Sequence, residues 1–137
     1  MSDEPPRILR IFETVVYAAD LPAAARFYEA LGLRRVAGLP DALGVSFRLP
    51  DGGVLLVFDP ELAREEGRPV PPHGAAGTGH VALSVEPGTL DAAAAALARA
   101  GIAVEQHVTW RAGGRSLYVR DPAGNSVELI DGDPWPS

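Results

Sequence analysis

Three side chains, Glu13, His80 and Glu128, lie in stretches that otherwise read as β-strands, and together they make a ligand-type set of two carboxylates and one imidazole. Glu13 opens the run Glu13-Thr-Val-Val-Tyr-Ala-Ala-Asp20, His80 opens His80-Val-Ala-Leu-Ser-Val-Glu86, and Glu128 lies in Ser126-Val-Glu-Leu-Ile130. In a strand, alternate side chains share a face. If Phe12, Thr14 and Val16 turn one way, Glu13, Val15 and Tyr17 turn the other. The same alternation sets His80, Ala82 and Ser84 against Val81, Leu83 and Val85, and Glu128 and Ile130 against Val127 and Leu129. A charged group inside a strand is costly to bury without a partner. Taken singly, a strand Glu is usually solvated and a strand His is more often a hydrogen-bonded core group. Their shared placement favours one site, where such groups can hold a metal ion or move a proton.

The elements that must position them occur twice. Residues 8–19 are rich in β-branched and aromatic residues, as a strand should be. Asp20 is a good N-cap and Pro22 suits a first helical turn, while Ala24, Phe27, Tyr28 and Leu31 form one apolar stripe that Gly32 ends. Strands are expected over 33–37, 42–49 and 54–58, separated by turn residues. From residue 60 to 77 the composition shifts to Pro, Gly, Glu and Arg, which reads as an exposed linker or a flap. The pattern then restarts with a strand over 79–85 and a helix over 89–100 carrying Leu90, Ala94, Leu97 and Ala98 on one face. Strands over 102–108, 116–120 and 126–130 complete it, with Asp121-Pro-Ala-Gly-Asn125 as the last turn. Short tails are expected over 1–7 and 133–137. The chain is thus an α+β protein of two βαβββ modules, 8–59 and 78–132, joined by the linker 60–77 in a single domain.

Composition narrows the function. The 137 residues, 47% hydrophobic and 22% charged, can bury one sizeable core. There is no cysteine, which removes disulfides, thiolate metal sites and cysteine nucleophiles. A formal charge of -6 with no lysine argues against a nucleic-acid partner. No apolar run approaches the roughly 20 residues of a membrane span, and Met1-Ser-Asp-Glu-Pro-Pro lacks the basic start and apolar core of a secretion signal, so no membrane partner and a cytoplasmic location are expected.

With those residues in place, the chain resembles the vicinal oxygen chelate superfamily, which includes glyoxalase I, extradiol dioxygenases, fosfomycin-resistance enzymes and bleomycin-resistance proteins. The resemblance covers nearly all of residues 8–132. It rests on Glu13-x6-Asp20-Leu21 followed by Ala25-Arg-Phe27-Tyr28-x2-Leu31-Gly32, on Gly79-His80-Val81-Ala82-Leu83, and on Tyr118-Val-Arg120-Asp121-Pro-Ala-Gly124-Asn125-Ser-Val-Glu128-Leu129. It implies that the sheets curl into an open barrel or cup with helices outside, and it implies a homodimer whose cups close within one chain or across two. It also implies that Glu13, His80 and Glu128 are metal ligands, with Glu128 and Glu13 as the catalytic carboxylates. Leu56 falls at the fourth ligand position and cannot bind a metal, which leaves three. Glu13 replaces the commoner His or Gln of the family. One imidazole with two carboxylates is a hard, anionic donor set, so Mn²⁺, Mg²⁺, Zn²⁺ and Ni²⁺ suit it at least as well as iron.

Tyr17, Phe58 and Ser84 are expected on the cup face, and Trp110, Arg111, Arg115 and Tyr118 on or near the loop leading into the penultimate strand, as substrate-binding residues. Arginines beside a metal suit an anionic substrate. His107 and His73 read as structural or exposed, although a flap carrying His73 could reach the site, and Gly113-Gly114 reads as a turn. Three functions stay open. One is a metal-dependent lyase, isomerase or transferase acting on a small substrate that chelates through vicinal oxygens. Another is an extradiol-type dioxygenase or a fosfomycin-resistance-type thiol transferase, and the third is a non-catalytic drug- or metabolite-binding protein of the bleomycin-resistance kind.

Overall fold

The computed structural model of the chain describes residues 5–137, so the expected tail over 1–7 lies partly outside the described residues. Its strands β1 (Glu13–Tyr17), β2 (Arg34–Val36), β3 (Gly44–Arg48) and β4 (Val54–Phe58) form one sheet in the order β1-β4-β3-β2. A second sheet has the order β5-β8-β7-β6, built from β5 (His80–Ser84), β6 (Gln106–Thr109), β7 (Arg115–Arg120) and β8 (Ser126–Asp131). In each sheet the first strand runs parallel to the last and the remaining pairs are antiparallel. The chain is an α+β protein of two βαβββ modules, and both sheets are left open.

Helix α1 (Leu21–Ala30) starts where the Asp20 carboxylate accepts a hydrogen bond from the Ala23 N–H at 3.1 Å. Leu21, Ala24, Ala25, Phe27 and Tyr28 are its buried stripe, laid against β2, β3 and β4. Helix α3 (Leu90–Arg99) buries Leu90 and Leu97 and half-buries Ala93 and Ala94 against β7 and β8. Ala98, expected on the same face, is exposed, because the stripe through 90, 93/94 and 97 has rotated past it by that point. A short helix, α2 (Pro60–Ala63), follows β4 inside the expected linker, capped by the Asp59 carboxylate on the Glu61 and Leu62 N–H groups.

Two strands, β1 and β6, begin well after their expected starts. Residues 8–12 stay outside β1, and Ile8, Leu9, Ile11 and Phe12 are exposed. Their intrinsic strand preference finds no partner, since β4 begins only at Val54, which gives its N–H to the Phe12 carbonyl as the last rung. Residues 102–105 likewise precede β6. Ile102 instead returns its N–H to the Leu97 carbonyl at the helix end. Among the described residues, no helix is long and apolar enough to cross a membrane.

The helix-facing sides of both sheets merge into one core that contains Tyr28 and Phe47 from the first module and Leu117, Val119 and Val127 from the second. A polar knot crosses it. Buried Asp121 accepts the Tyr28 hydroxyl at 2.7 Å and the Asn125 side-chain amide at 2.9 Å, while its other oxygen accepts the N–H groups of Ala123 and Asn125. Asn125 also donates to the Tyr17 carbonyl at 3.1 Å and accepts the Gly79 N–H at 2.7 Å, so the turn before β8 ties the end of β1 to the start of β5.

Burial, the hydrogen bond to Asp121 and the Asp121 charge all push the Tyr28 phenol far above its ordinary value. The unfolded phenol loses its proton near pH 10 while the folded one keeps it, so this contribution is complete below that pH and is lost as pH rises. Tyr28→Phe is expected to destabilise the fold by about 1–3 kcal/mol at pH 8. In urea titrations that gap should narrow above pH 10.

Candidate functional site

Each sheet turns its other face to a cavity. The first, of about 670 Å³, is lined by Glu13, Val15 and Tyr17 of β1, Ser46 and Arg48 of β3, Leu56 and Phe58 of β4, and Arg68, Val70, Pro71 and His73 from the segment after α2. The second, of about 680 Å³, is lined by His80, Ala82 and Ser84 of β5, Tyr118 of β7, Glu128 and Ile130 of β8, Trp110, and the tail from Gly132 to Trp135. The alternation expected for β1, β5 and β8 is therefore observed.

Strand register makes the cavities equivalents. Glu13 stands beside Val54 as His80 stands beside Ser126, and two residues on Leu56 takes the place in β4 that Glu128 takes in β8. The second cavity thus holds an imidazole and a carboxylate together, and the first holds a carboxylate opposite an apolar wall. The two cavities share no lining residue. Among the described residues, no three His, Asp or Glu side chains of one chain gather as a metal would need.

The His80–Glu128 pair is finely held. Imidazole Nδ1 lies 3.0 Å from the Ser126 carbonyl, which can only accept, so Nδ1 carries the proton and Nε2 presents its lone pair in the neutral ring. Nε2 is 3.3 Å from Glu128 Oε1. Adjacent ligands on one divalent ion, each bound at about 2.1 Å, are separated by roughly 3 Å, so the pair fits two corners of one coordination shell. The opposite carboxylate oxygen, Oε2, accepts the Ser116 hydroxyl at 2.6 Å, and Ser116 in turn accepts the Trp110 indole N–H at 2.8 Å. This relay turns Oε1 toward His80. Tyr118 stacks beside the imidazole, with ring centroids 6.3 Å apart. Its phenol is pushed up by burial and by the Glu128 charge, and stays protonated at neutral pH.

Trp110 is set at the rim by the β6–β7 turn, where its N–H bonds the Gly114 carbonyl. Gly114 has φ +92° and packs so closely on the end of β8 that a Cβ would lie 2.6 Å from the Asp131 carbonyl oxygen. Gly113-Gly114 is therefore a turn.

A sequence model of the Glyoxalase/Bleomycin resistance protein/Dioxygenase superfamily matches residues 10–129. The chain belongs to this superfamily. Among solved structures, the superfamily fold is shared with a lactoylglutathione lyase from Agrobacterium tumefaciens at 38% identity and TM-score 0.85, covering 98% of this chain and 100% of that one. A glyoxalase/dioxygenase from Nostoc punctiforme has 23% identity and TM-score 0.68 over 95% and 100% of the two chains. A glyoxalase/bleomycin resistance protein/dioxygenase from Nocardioides has 24% identity and TM-score 0.72 over 97% and 92%. At those lower identities the likeness is one of fold. No curated protein matches the chain.

Within this superfamily scaffold the other residues singled out from the sequence divide between the cavities. Tyr17 and Phe58 line the first; Ser84, Trp110 and Tyr118 line the second. Arg111 is exposed in the turn and lines neither, and Arg115 forms an ion pair with Asp91 at 3.1 Å. His107 is exposed on β6. His73 reaches the first cavity, 2.6 Å from the Tyr17 hydroxyl. Ser116, Arg48 and Arg68 are further residues at these sites that were not expected from the sequence. Ser116 shares the face of Tyr118 two residues on, which alternation could have shown; Arg68 had no periodic signal to place it.

Removing the Ser116 hydroxyl frees Oε2 to rotate. For a divalent ion held by the His80–Glu128 pair, Ser116→Ala would weaken Mn²⁺ binding by about 10–100-fold and Ser116→Thr would retain most of it, as read by calorimetric titration.

Proposed function

We propose that the protein is a divalent-metal-dependent, glyoxalase-like lyase or isomerase acting on a small substrate that chelates through two neighbouring oxygens. The metal would be held by His80 and Glu128 of one subunit and Glu13 of the partner subunit. What carries this reading is the division of an equivalent donor set between two cavities: His80 and Glu128 fit two corners of one ion, and Glu13 occupies the His80-equivalent place in the other module.

Edge strands support a cup shared between subunits. Among the described residues β1 pairs only with β4 and β5 only with β8, so each module offers a free strand edge beside its donor residue. A two-fold dimer that sets β1 of each subunit next to β5 of the other joins the two half-cups twice. Leu56 offers no donor at the fourth place, so three side chains would hold the ion and leave room for a chelating substrate.

A bound divalent ion would supply Lewis-acid stabilisation to charge developing on the substrate oxygens. The chain's own part would be to hold and move protons: the Ser116–Glu128 hydrogen bond orients one carboxylate, and Glu13 and Glu128 are the carboxylates that would take up a carbon-bound proton. The 38% identity to a lactoylglutathione lyase over nearly the whole chain favours lyase or isomerase chemistry over ring cleavage. Such an enzyme of small metabolites would work in the cytoplasm.

Subunit mixing tests the shared cup. Glu13→Ala and Glu128→Ala variants should each lose stoichiometric metal. After the two are mixed and allowed to exchange subunits, half of the dimers are hybrids and each hybrid has one intact cup, restoring about a quarter of the wild-type metal content. No restoration in demonstrably exchanged dimers would place all ligands within one chain. Absence of divalent metal binding by the wild-type protein would sink the enzyme reading in favour of a binding protein.

A further inference from the structure

The first cavity carries more positive charge than its place in an acidic protein explains. The chain has a formal charge of -6, yet this wall holds two arginines, Arg48 and Arg68, against one carboxylate, Glu13. Among the described residues neither arginine lies within ion-pairing distance of any carboxylate, a condition that several surface arginines share but that here falls on a cavity wall. Arg48 gives Nη1 to the Gly52 carbonyl at 2.8 Å, and Arg68 gives Nη2 to the Ala63 carbonyl at 2.8 Å. Both guanidinium groups are positioned by backbone and keep their charge uncompensated. Arg68 Nε is in addition shut off from solvent with no hydrogen-bond partner among the described residues. A half-buried guanidinium in this condition favours an incoming planar anion.

The segment that carries Arg68 is fastened over the cavity. The Ala63 carbonyl that accepts Arg68 also accepts the His73 N–H at 3.0 Å, so one backbone oxygen holds both residues. His73 then meets the Tyr17 hydroxyl at 2.6 Å and stands edge-on to Phe58, with ring centroids 4.8 Å apart. Burial raises the Tyr17 phenol, which therefore keeps its proton at neutral pH beside the His73 ring. The rest of the wall, with Val15, Leu56, Phe58 and Val70, is apolar.

We propose that this cavity binds the anionic end of the substrate, a carboxylate borne on an apolar or aromatic body, with Arg68 and Arg48 facing the charge and the His73–Tyr17 contact closing the segment over it. The proposal deepens the reading of a shared metal cup and rests on it only for the meaning of the site, since the arginines, the cavity and the fastening all belong to one chain.

Phenylacetate and its neutral isostere phenylacetamide are the probes, titrated calorimetrically into the full-length protein with and without EDTA. Phenylacetate should bind at least about tenfold more tightly than the amide in both conditions, and the advantage should shrink as salt is raised. Arg68→Gln should abolish the difference and Arg68→Lys restore part of it. Glu13→Gln, which removes the one opposing charge, should tighten phenylacetate binding in EDTA. Equal binding of the two probes, no binding of phenylacetate, or an Arg68→Gln variant of unchanged melting temperature that still prefers the anion would each overturn the proposal. Anion preference in a protein that takes up no divalent ion when titrated with it would keep this inference while removing the metal reading; metal binding without anion preference would do the reverse.

Discussion

Everything in this chain hangs on the carboxylate of Asp121, buried where a lone charge could not stay. It is tolerable only because Tyr28, Asn125 and two backbone N–H groups satisfy it, and those partners belong to different parts of the fold. Tyr28 is on the first module's helix, while Asn125 reaches from the second module's last turn to the end of β1. The requirement to pair one charge therefore fixes how the modules meet. With their helix-facing sides fused into one core, the two cavity faces are left on separate surfaces, each with only part of a donor set.

The same division shows in the strand register of the two modules. Register shows Glu13 equivalent to His80 and Leu56 equivalent to Glu128, so the second module keeps the paired donors while the first keeps one. Around the pair, Ser116 and Trp110 spend their hydrogen bonds on orienting a carboxylate. In the first module the corresponding cup has turned apolar at Leu56 and positive at Arg48 and Arg68. Under the proposed function, one module would hold the metal ion and the other would receive the anionic end of the substrate.

Much of this was legible in the sequence. Period-two alternation placed Glu13, His80 and Glu128 on the faces they occupy, and the stripe through Ala24, Phe27 and Tyr28 marked α1. Strand ends were less legible, because residues 8–12 have every local preference for a strand and lack only a partner, which is a tertiary fact. The Asp121-Pro-Ala-Gly-Asn125 run read as a turn, and nothing local revealed that its Asp and Asn lock two modules together. The separation of Glu13 from the other donors depends on how the two modules pack, and no spacing along the chain encodes that. Arg68 and His73 lay in a stretch with no periodicity, where position is set by contacts to one carbonyl and one tyrosine.

That carbonyl has a consequence for how the protein can change. Ala63 holds Arg68 and His73 through a backbone oxygen, which is present whatever side chain a mutation installs there. The residues between the two attachment points form a pendant whose length and composition can drift while its two ends stay put. Ala63 itself is fully buried, so its own variation is narrow, but the hanging segment is free to be rewritten. A scaffold with such a suspended stretch can exchange one ligand preference for another by editing a few exposed positions, leaving the sheets and their donor residues untouched.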